Sequence, residues 1–300
     1  MSTVLAIGNF DGVHRGHQAI LREARRIADE SDPSSPLIAV TFWPHPLSIL
    51  RPSHAPALLC HLSQRIELLS QAGADRIETV EFNPEVASWS PDRFVEQVLA
   101  PLDPRAVVVG QNFRFGAGAV ADGDTLRELA DGRFNVTMLP MLADEGDVEP
   151  VSSSRIRAAL AVGDPQLASR MLGRLFRFAG VVVVGDQRGR TLGFPTANLV
   201  VPPLYACPAD GVYAGYLCTA TDRWPAAISV GANATFNGSQ RRVEAYAIDQ
   251  VGLDLYGLRV GVDFVTRLRD QRRFESAEEL IDQMNWDVVA ARDITAEANF

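Results

Sequence analysis

The spacing of apolar residues changes once along the chain, near Gly173, and this change constrains the fold more than any other feature. Before it, short β-rich runs alternate with stretches of helical spacing; after it, β-rich runs follow one another between Gly- and Pro-rich turns. Alternating strands and helices are typical of a parallel sheet, whereas consecutive strands are typical of an antiparallel barrel. Because 300 residues exceed the usual size of one core, we expect two domains, at 1–172 and 173–300.

The two halves are therefore predicted to be α/β and all-β. The first-half strands are predicted at 4–7, 37–42, 76–82, 106–109 and 136–139, and its helices at 18–29, 63–72, 91–99, 152–162 and 165–172. The second-half strands are predicted at 177–184, 211–218, 226–230, 242–248 and 258–266, with a final helix at 276–292.

The composition favours a globular protein and disfavours several classes of partner. The formal net charge is −9, whereas a general nucleic-acid surface needs a basic face. The sequence has no run of about 20 apolar residues, so we expect no membrane span, and the N-terminus lacks the features of a signal peptide. The three cysteines, Cys60, Cys207 and Cys218, show no CxxC spacing. We expect a cytoplasmic protein without a disulfide framework or a zinc site.

The chain contains no lysine, because all 28 of its Lys and Arg residues are arginine. A Walker A loop needs lysine on the phosphates and a Schiff-base enzyme needs a lysine amine, so both are excluded. Any phosphate site must be built from arginine, histidine, backbone amides or a metal ion.

One candidate phosphate site is the sequence GNFDGVHRGH at 8–17, which follows a predicted strand and precedes a predicted helix. A turn in that context presents backbone amides at a helix N-terminus, where phosphates bind. Gly8 and Gly12 allow a tight turn, and His14 and His17 can project toward the same phosphates. From these residues alone, a tight turn with two surface histidines is the alternative.

This motif resembles that of the nucleotidyltransferase superfamily, in the form found in prokaryotic bifunctional riboflavin kinase/FAD synthetases. The segments TFWPHP at 41–46, VVVGQNFRFG at 107–116 and VSSSRIR at 151–157 resemble the family's next motifs, in the same order. The resemblance implies a Rossmann-like FMN adenylyltransferase domain.

The resemblance also implies roles for individual residues of this domain. The catalytic residues would be His14, His17, Asn112 and Arg155, and Phe113 would contact flavin. The nucleotide would be bound by Gly8, Asn9, Phe10, Asp11, Gly12, Ser153, Ser154 and Arg157. Taken alone, segment 151–157 would equally fit a serine cap followed by a solvated helix.

A second motif, GDQRGRTLGFPTANL at 185–199, resembles the riboflavin-kinase motif, and GVYAG, VGANATFNG, RRVEAY and DLYG continue the resemblance downstream. It implies a six-stranded antiparallel β-barrel followed by a C-terminal helix. Thr196 and Asn198 would bind Mg²⁺ together with ATP. The loop would bind nucleotide through Gly185, Gly189, Arg190, Gly193 and Pro195.

Glu244 in RRVEAY matches the general base of the family. The ribityl 5′-hydroxyl of riboflavin must lose a proton as it attacks the γ-phosphate of ATP, so a nearby carboxylate is useful. Strand alternation around Val243 and Ala245 fits a solvent-facing glutamate equally well. Arg269 and Phe274 resemble a flavin-contacting loop, and an exposed charged turn is the alternative.

We therefore predict a bifunctional enzyme that phosphorylates riboflavin to FMN and adenylates FMN to FAD, with ATP as co-substrate and Mg²⁺ as cofactor. No nucleic acid, membrane or required protein partner is expected. Trp43 stands where the family commonly has an acidic residue, and 117–121 is uncharged where it often has basic ones. A riboflavin kinase with an impaired or altered adenylyltransferase half, or a non-catalytic flavin-binding regulator, are the alternatives.

Overall fold

The computed structural model describes residues 2–31, 33–143, 149–185, 189, 192–235 and 238–298, and at 31, 233–235 and 238–240 it describes the backbone alone. Packing divides the chain into two compact units. Unit 1 comprises Met1–Pro56 and His61–Ser153, and unit 2 comprises Ala57–Cys60 and Ser154–Phe300.

The strands described in unit 1 form one parallel sheet in the order β3-β2-β1-β4-β5. They are β1 (Thr3–Ile7), β2 (Leu37–Trp43), β3 (Arg76–Glu81), β4 (Pro104–Gly110) and β5 (Asn135–Leu139). Central strand β1 is paired on both sides, with Ile7 aligned to Val40 and to Val109. The predicted strands of the first half and their parallel arrangement are confirmed.

Apolar cores cover both faces of this sheet, as a parallel sheet requires. Leu5 and Ile7 pack into one core, while Val4 and Ala6 pack into the other. The helices described in unit 1 are α1 (Arg15–Ser31), α2 (Pro46–Leu50), α3 (Leu62–Gln71), α4 (Pro84–Ala87), α5 (Pro91–Phe94) and α6 (Gly123–Ala130). Helix α5 continues as a wider π-helical turn over Val95–Leu99, followed by short 3₁₀ turns elsewhere in the unit.

Two helices, α7 (Ser153–Ala161) and α8 (Pro165–Leu172), precede a closed antiparallel barrel. The barrel order is β10-β7-β6-β11-β8-β9. Its strands are β6 (Phe176–Val183), β7 (Ala197–Val200), β8 (Gly211–Cys218), β9 (Arg223–Thr235), β10 (Gly238–Ala247) and β11 (Arg259–Arg269). The predicted six-stranded barrel is confirmed. The apolar pattern alone predicts five of these strands and not β7, which is four residues long and begins within the glycine-rich motif at 185–199.

Aromatic side chains fill part of the barrel interior. The Phe264 ring lies 6.2 Å from that of Phe176 and 5.4 Å from that of Tyr213. Outside the barrel, α9 (Ala277–Glu297) packs against β8, β9 and β11. The Tyr216 hydroxyl donates to the Thr295 carbonyl at 2.7 Å, which fixes this helix to β8. The predicted C-terminal helix is confirmed.

The change of pattern at Gly173 corresponds to the end of α8. Gly173 caps that helix with φ 72°, a left-handed conformation that favours glycine. Helix α8 nevertheless packs on β6 and β11, which is why residues 154–172 belong to unit 2 by packing. A boundary between the two catalytic domains at 172/173 stays a prediction.

Candidate active sites

The turn between β1 and α1 carries the first motif and brings its two histidines together. The imidazole rings of His14 and His17 stack with centroids 3.6 Å apart and planes 19° apart. The ring of Phe10 meets that of His17 edge-on at 5.2 Å. Because His14 is only 7% exposed, the alternative of two surface histidines does not hold for it.

The backbone of this turn is strained. Phe10, Gly12 and Val13 have φ values of 50°, 80° and 40°. Such values cost about 1–3 kcal/mol at a non-glycine residue and persist only where surrounding contacts hold them, and Val13 is β-branched. The Thr41 hydroxyl donates to the Asn9 carbonyl at 3.0 Å and the Ser153 hydroxyl donates to the Asp11 carbonyl at 2.9 Å.

The predicted nucleotide-binding residues Ser153 and Gly8 both contact the turn. The Ser153 hydroxyl bonds the backbone of the turn. Gly8 donates its N–H to the Val40 carbonyl at 3.1 Å, and a Cβ at Gly8 would lie 3.2 Å from the Phe10 ring. Hydrogen bonds and close packing therefore hold the turn at 8–12 and Ser153 together.

Asn112 and Phe113 follow β4, the strand beside β1. The sheet order reverses between β1 and β4, and ligands of open α/β sheets bind at the carboxyl ends of strands at such a switch point. The Phe113 N–H donates to the Gly110 carbonyl at 2.9 Å, and the Phe113 ring stacks on Phe115 at 5.4 Å. The first motif and Asn112 thus share one edge of the sheet.

Ser154, Arg155 and Arg157 lie in the first turns of α7, within unit 2. Ser154 is exposed, whereas Arg155 and Arg157 are half-buried. The Arg157 guanidinium donates through Nε to the Ala57 carbonyl at 2.6 Å, a contact inside unit 2. Their predicted roles with nucleotide stay predictions.

In the barrel, Glu244 on β10 is paired directly with Asn198 on β7 and with Ser229 on β9. Directly paired residues project on the same face of a sheet, so these three side chains share one face. The neighbours Val243 and Ala245 are fully buried, which places Glu244 on the outer face. The Asn198 amide, 6% exposed, donates at 3.1 Å both to the Thr196 carbonyl and to the Thr196 hydroxyl.

The glycines of the second motif permit close backbone packing. A Cβ at Gly185 would lie 2.4 Å from Asn198 Oδ1, and one at Gly189 would lie 2.4 Å from the Phe194 carbonyl oxygen. The Gly189 carbonyl accepts from the Phe194 N–H at 2.7 Å, which closes the loop. Gly193 has φ 90°. The predicted nucleotide-binding residue Arg190 lies outside the described residues.

Two cavities are lined by residues of this motif and of the neighbouring strands. The larger, about 500 Å³, is lined by Gly185, Pro195, Thr196, Asn198 and the loop 250–256, together with the barrel residues Val182, Leu217 and Ala245. The smaller, about 260 Å³, is lined by Asp210, Ser229, Gly231, Ala232, Arg242, Glu244 and Gln271. Asn198 lines the larger cavity, Glu244 lines the smaller one, and the two residues are cross-strand partners. A group bound in one cavity would therefore approach a group bound in the other along the β7–β10 pair.

Arg269 and Phe274, the residues of the predicted flavin loop, contact one another, and Arg269 also contacts α9. Arg269 forms a bidentate ion pair with Asp287 of α9, at 2.9 Å from Nε and 2.7 Å from Nη2. The Phe274 ring packs against the guanidinium groups of Arg269 and Arg272. Neither Arg269 nor Phe274 lines the smaller cavity, and their flavin contact stays a prediction.

Three residues that support the sites are absent from the predicted site residues. Thr41 and Arg65 contact the first motif or its neighbours, and Gln271 donates to the Ser229 hydroxyl at 2.9 Å and to the Val230 carbonyl at 3.1 Å beside Glu244. Arg65 carried a usable signal, because it occupies the apolar register of its helix four residues before Leu69.

The described residues contain no cluster of three or more His, Cys, Asp or Glu that could hold a metal ion. All three cysteines are buried. Burial raises the pKa of the Cys207 and Cys218 thiols to about 12, so both stay protonated at neutral pH.

Two family models match the chain, one in each half. The FAD synthetase model matches residues 1–155, and the riboflavin kinase model matches residues 172–295. A search of the helices in the described part of the chain finds none long and apolar enough to cross a membrane.

Individual relatives match over nearly the whole chain. The bifunctional riboflavin kinase/FMN adenylyltransferase of Pseudomonas fluorescens is 38% identical over 98% of this chain and 93% of its own. Those of Escherichia coli K12 and Bacillus subtilis are 35% and 34% identical, over 97% and 95% of this chain and 92% and 90% of theirs. A crystal structure described as a macrolide-efflux protein from Streptococcus pneumoniae superposes with a TM-score of 0.87 at 32% identity, covering 97% of this chain and 94% of that one. The chain belongs to the family of bifunctional riboflavin kinase/FMN adenylyltransferases, and the domains for both activities are present.

Proposed function

We propose that unit 2 phosphorylates riboflavin with Glu244 as general base, and that unit 1 adenylates the resulting FMN at the turn carrying His14 and His17. The observation that carries the proposal is the direct pairing of Glu244 with Asn198, each in the wall of a different cavity. One cavity would hold ATP and the other riboflavin, with the reacting groups between them.

The kinase step needs a base at one point only. The ribityl 5′-oxygen of riboflavin attacks the γ-phosphorus of ATP, the bond from that phosphorus to the β–γ bridging oxygen breaks, and ADP leaves. The hydroxyl proton passes to the Glu244 carboxylate and then to solvent. Glu244 is half-buried in a cavity wall, which fits this role better than a glutamate facing bulk solvent.

The residues of the larger cavity fit Mg²⁺ held mainly through ATP. The Asn198 amide nitrogen is turned to Thr196, which leaves Oδ1 and the Thr196 hydroxyl oxygen as neutral oxygen donors. Mg²⁺ prefers such oxygens together with substrate phosphates over an all-protein cage. Bound there, it would neutralise charge on the phosphates. Thr196 and Asn198 would orient the nucleotide toward Glu244.

The adenylyl transfer in unit 1 needs alignment rather than a base. A phosphate oxygen of FMN, already anionic, attacks the α-phosphorus of ATP, and pyrophosphate leaves. His14 and His17 would donate hydrogen bonds to the phosphates beside the helix N-terminus. Asn112 and Phe113, at the neighbouring strand end, would face the flavin substrate. Ser154, Arg155 and Arg157 keep the phosphate-binding roles implied by the resemblance.

A chromatographic time course of riboflavin, FMN and FAD tests both steps in one sample. With riboflavin, ATP and Mg²⁺, the protein should form FMN, which then gives way to FAD. Glu244→Gln should stop FMN formation from riboflavin but still convert supplied FMN to FAD. His14→Ala should do the reverse.

The remaining outcomes of this assay are equally informative. FMN that accumulates without FAD in the unaltered protein would support the kinase with an impaired adenylyltransferase half. A Glu244→Gln variant that phosphorylates riboflavin at the normal rate would refute the role of Glu244.

A further inference from the structure

We propose that Arg65 is a positioning residue for adenylyl transfer, whose buried guanidinium holds the strained turn at 8–14 in the conformation that presents His14 and His17. The inference rests on the proposed function of unit 1 and adds a residue that touches neither substrate. The charge of Arg65 is buried at a position where the fold alone would favour an apolar side chain.

Arg65 is fully buried, on the inner side of α3. Its Nη1 donates to the Phe42 carbonyl at 3.1 Å and to the Thr41 hydroxyl at 3.3 Å. Its guanidinium carbon lies 5.6 Å from the centre of the Trp43 ring. The side chain thus lies against the last residues of β2, beside the first motif.

The carboxylate within 4 Å of this guanidinium, among the described residues, is that of Asp11. Arg65 Nη2 and Asp11 Oδ1 are 3.7 Å apart, and Asp11 is 1% exposed. Nε and Nη2 of Arg65 have no hydrogen-bond partner in the described part of the chain. A buried ion pair with such incomplete bonding is a poor source of stability, and apolar replacements of similar volume are often neutral or stabilising.

The guanidinium reaches the strained turn by two routes. In the first, Arg65 donates to the Thr41 hydroxyl, which in turn donates to the Asn9 carbonyl. In the second, the guanidinium attracts the Asp11 carboxylate. These two attachment points flank Phe10, whose φ is 50°. Strain of this kind persists where the surroundings fix it, and Arg65 connects to the turn on both sides of the strained residue.

The residue at position 43 also affects where the charge of Arg65 acts, because the Trp43 ring packs against the guanidinium. A carboxylate at 43 would attract the guanidinium away from Asp11, whereas an aromatic face packs on it without forming a salt bridge. In this chain the charge of Arg65 is therefore directed to the turn.

Kinetics of FAD formation from FMN and ATP test the proposal. The variants are Arg65→Met and Thr41→Val, with Arg127→Met as a matched control, since Arg127 is an exposed arginine of unit 1 on α6. Thr41→Val preserves shape but removes the hydroxyl that links Arg65 to the turn. Riboflavin phosphorylation by the same preparation and the near-ultraviolet circular dichroism report the folding of the rest of the protein.

Displacement of the histidines by about 1 Å would lower kcat/KM for ATP by about 100-fold in Arg65→Met. We expect KM for ATP to rise in Arg65→Met and, less steeply, in Thr41→Val, while KM for FMN stays unchanged. Arg65→Lys should recover part of the loss. Arg127→Met should match the unaltered protein.

A purely structural role predicts a different pattern, namely a lower kcat with both KM values unchanged, in proportion to the folded fraction. That result for Arg65→Met would overturn the proposal. If Arg65→Met does not fold, Thr41→Val decides, because an unchanged KM for ATP in that variant would equally overturn it. Failure of the unaltered protein to form FAD would instead count against the proposed function of unit 1.

Discussion

Adding one methyl group at position 185 would test whether the glycine loop sets the position of Asn198. Gly185 lacks the positive φ values found at Gly193 and elsewhere, so alanine is conformationally acceptable there. Its Cβ would lie 2.4 Å from Asn198 Oδ1, 2.5 Å from Cγ and 2.7 Å from Nδ2. Ordinary contact starts near 3.4 Å, so the Asn198 amide must move by about 1.0 Å.

The expected effect of Gly185→Ala follows from that displacement. Asn198 is 6% exposed and bonded twice to Thr196, so it cannot move without disturbing both proposed Mg²⁺·ATP ligands. A misplacement of about 1 Å costs on the order of 100-fold in rate, about 2.7 kcal/mol of transition-state stabilisation. We expect riboflavin phosphorylation to fall by that factor while FAD formation from supplied FMN is unchanged.

A double-mutant cycle with Asn198→Ala provides the decisive comparison. Once the amide is gone, the added methyl has nothing to displace, so Gly185→Ala should cause little further loss in that background. Fully additive losses of riboflavin kinase activity would refute the reasoning. So would a Gly185→Ala variant with a normal kcat/KM for ATP.

Three further changes test other parts of the structure. Glu244→Gln should lower the kcat of riboflavin phosphorylation by about 100- to 10,000-fold with little change in KM, and a loss below tenfold would contradict general-base catalysis. Burial raises the pKa of Cys207 from 9.0 to about 12, so its contribution to stability is complete below pH 9 and is lost between pH 9 and 12 as the unfolded thiol ionises. The free energy of unfolding, measured by chemical denaturation from pH 8 to 11, should therefore decline less steeply in Cys207→Ala than in the unaltered protein. Asp287→Asn leaves Arg269 without its bidentate partner and should lower the free energy of unfolding of the barrel, measured by urea denaturation, by roughly 3 kcal/mol, because the carboxylate is only 8% exposed.

Periodicity predicted most of the fold because the two halves obey different and simple packing rules. Strands β1 and β4 each contain a continuous apolar run, at 4–7 and at 106–109, and β8 is bounded by turn residues at both ends. Strand β7 has no counterpart among the predicted runs, because four residues of mixed polarity give no measurable period; the family resemblance implies only that the barrel has six strands. The packing of α8 on β6 and β11 depends on long-range contacts that the local sequence does not record.

The candidate sites were predictable where a motif contains the residues and less so where distant segments converge. His14 and His17 lie in one motif, and their contact follows from helical spacing. Arg65 and Thr41 act from other elements, and only the folded sheet brings them to Asp11 and Asn9. The same holds for Arg269, because its local motif does not reveal its partner Asp287 on α9, 18 residues later.

The alternation along β10 has a consequence for protein engineering. Glu244 projects outward between Val243 and Ala245, both of which are fully buried inside the barrel. Substitutions at those interior positions would therefore also re-aim the carboxylate, so that heat resistance and turnover would change together. Strand β11 carries neither Glu244 nor its cross-strand partners, and none of its residues lines either cavity, so directed evolution for thermal tolerance should begin with its inward-facing residues.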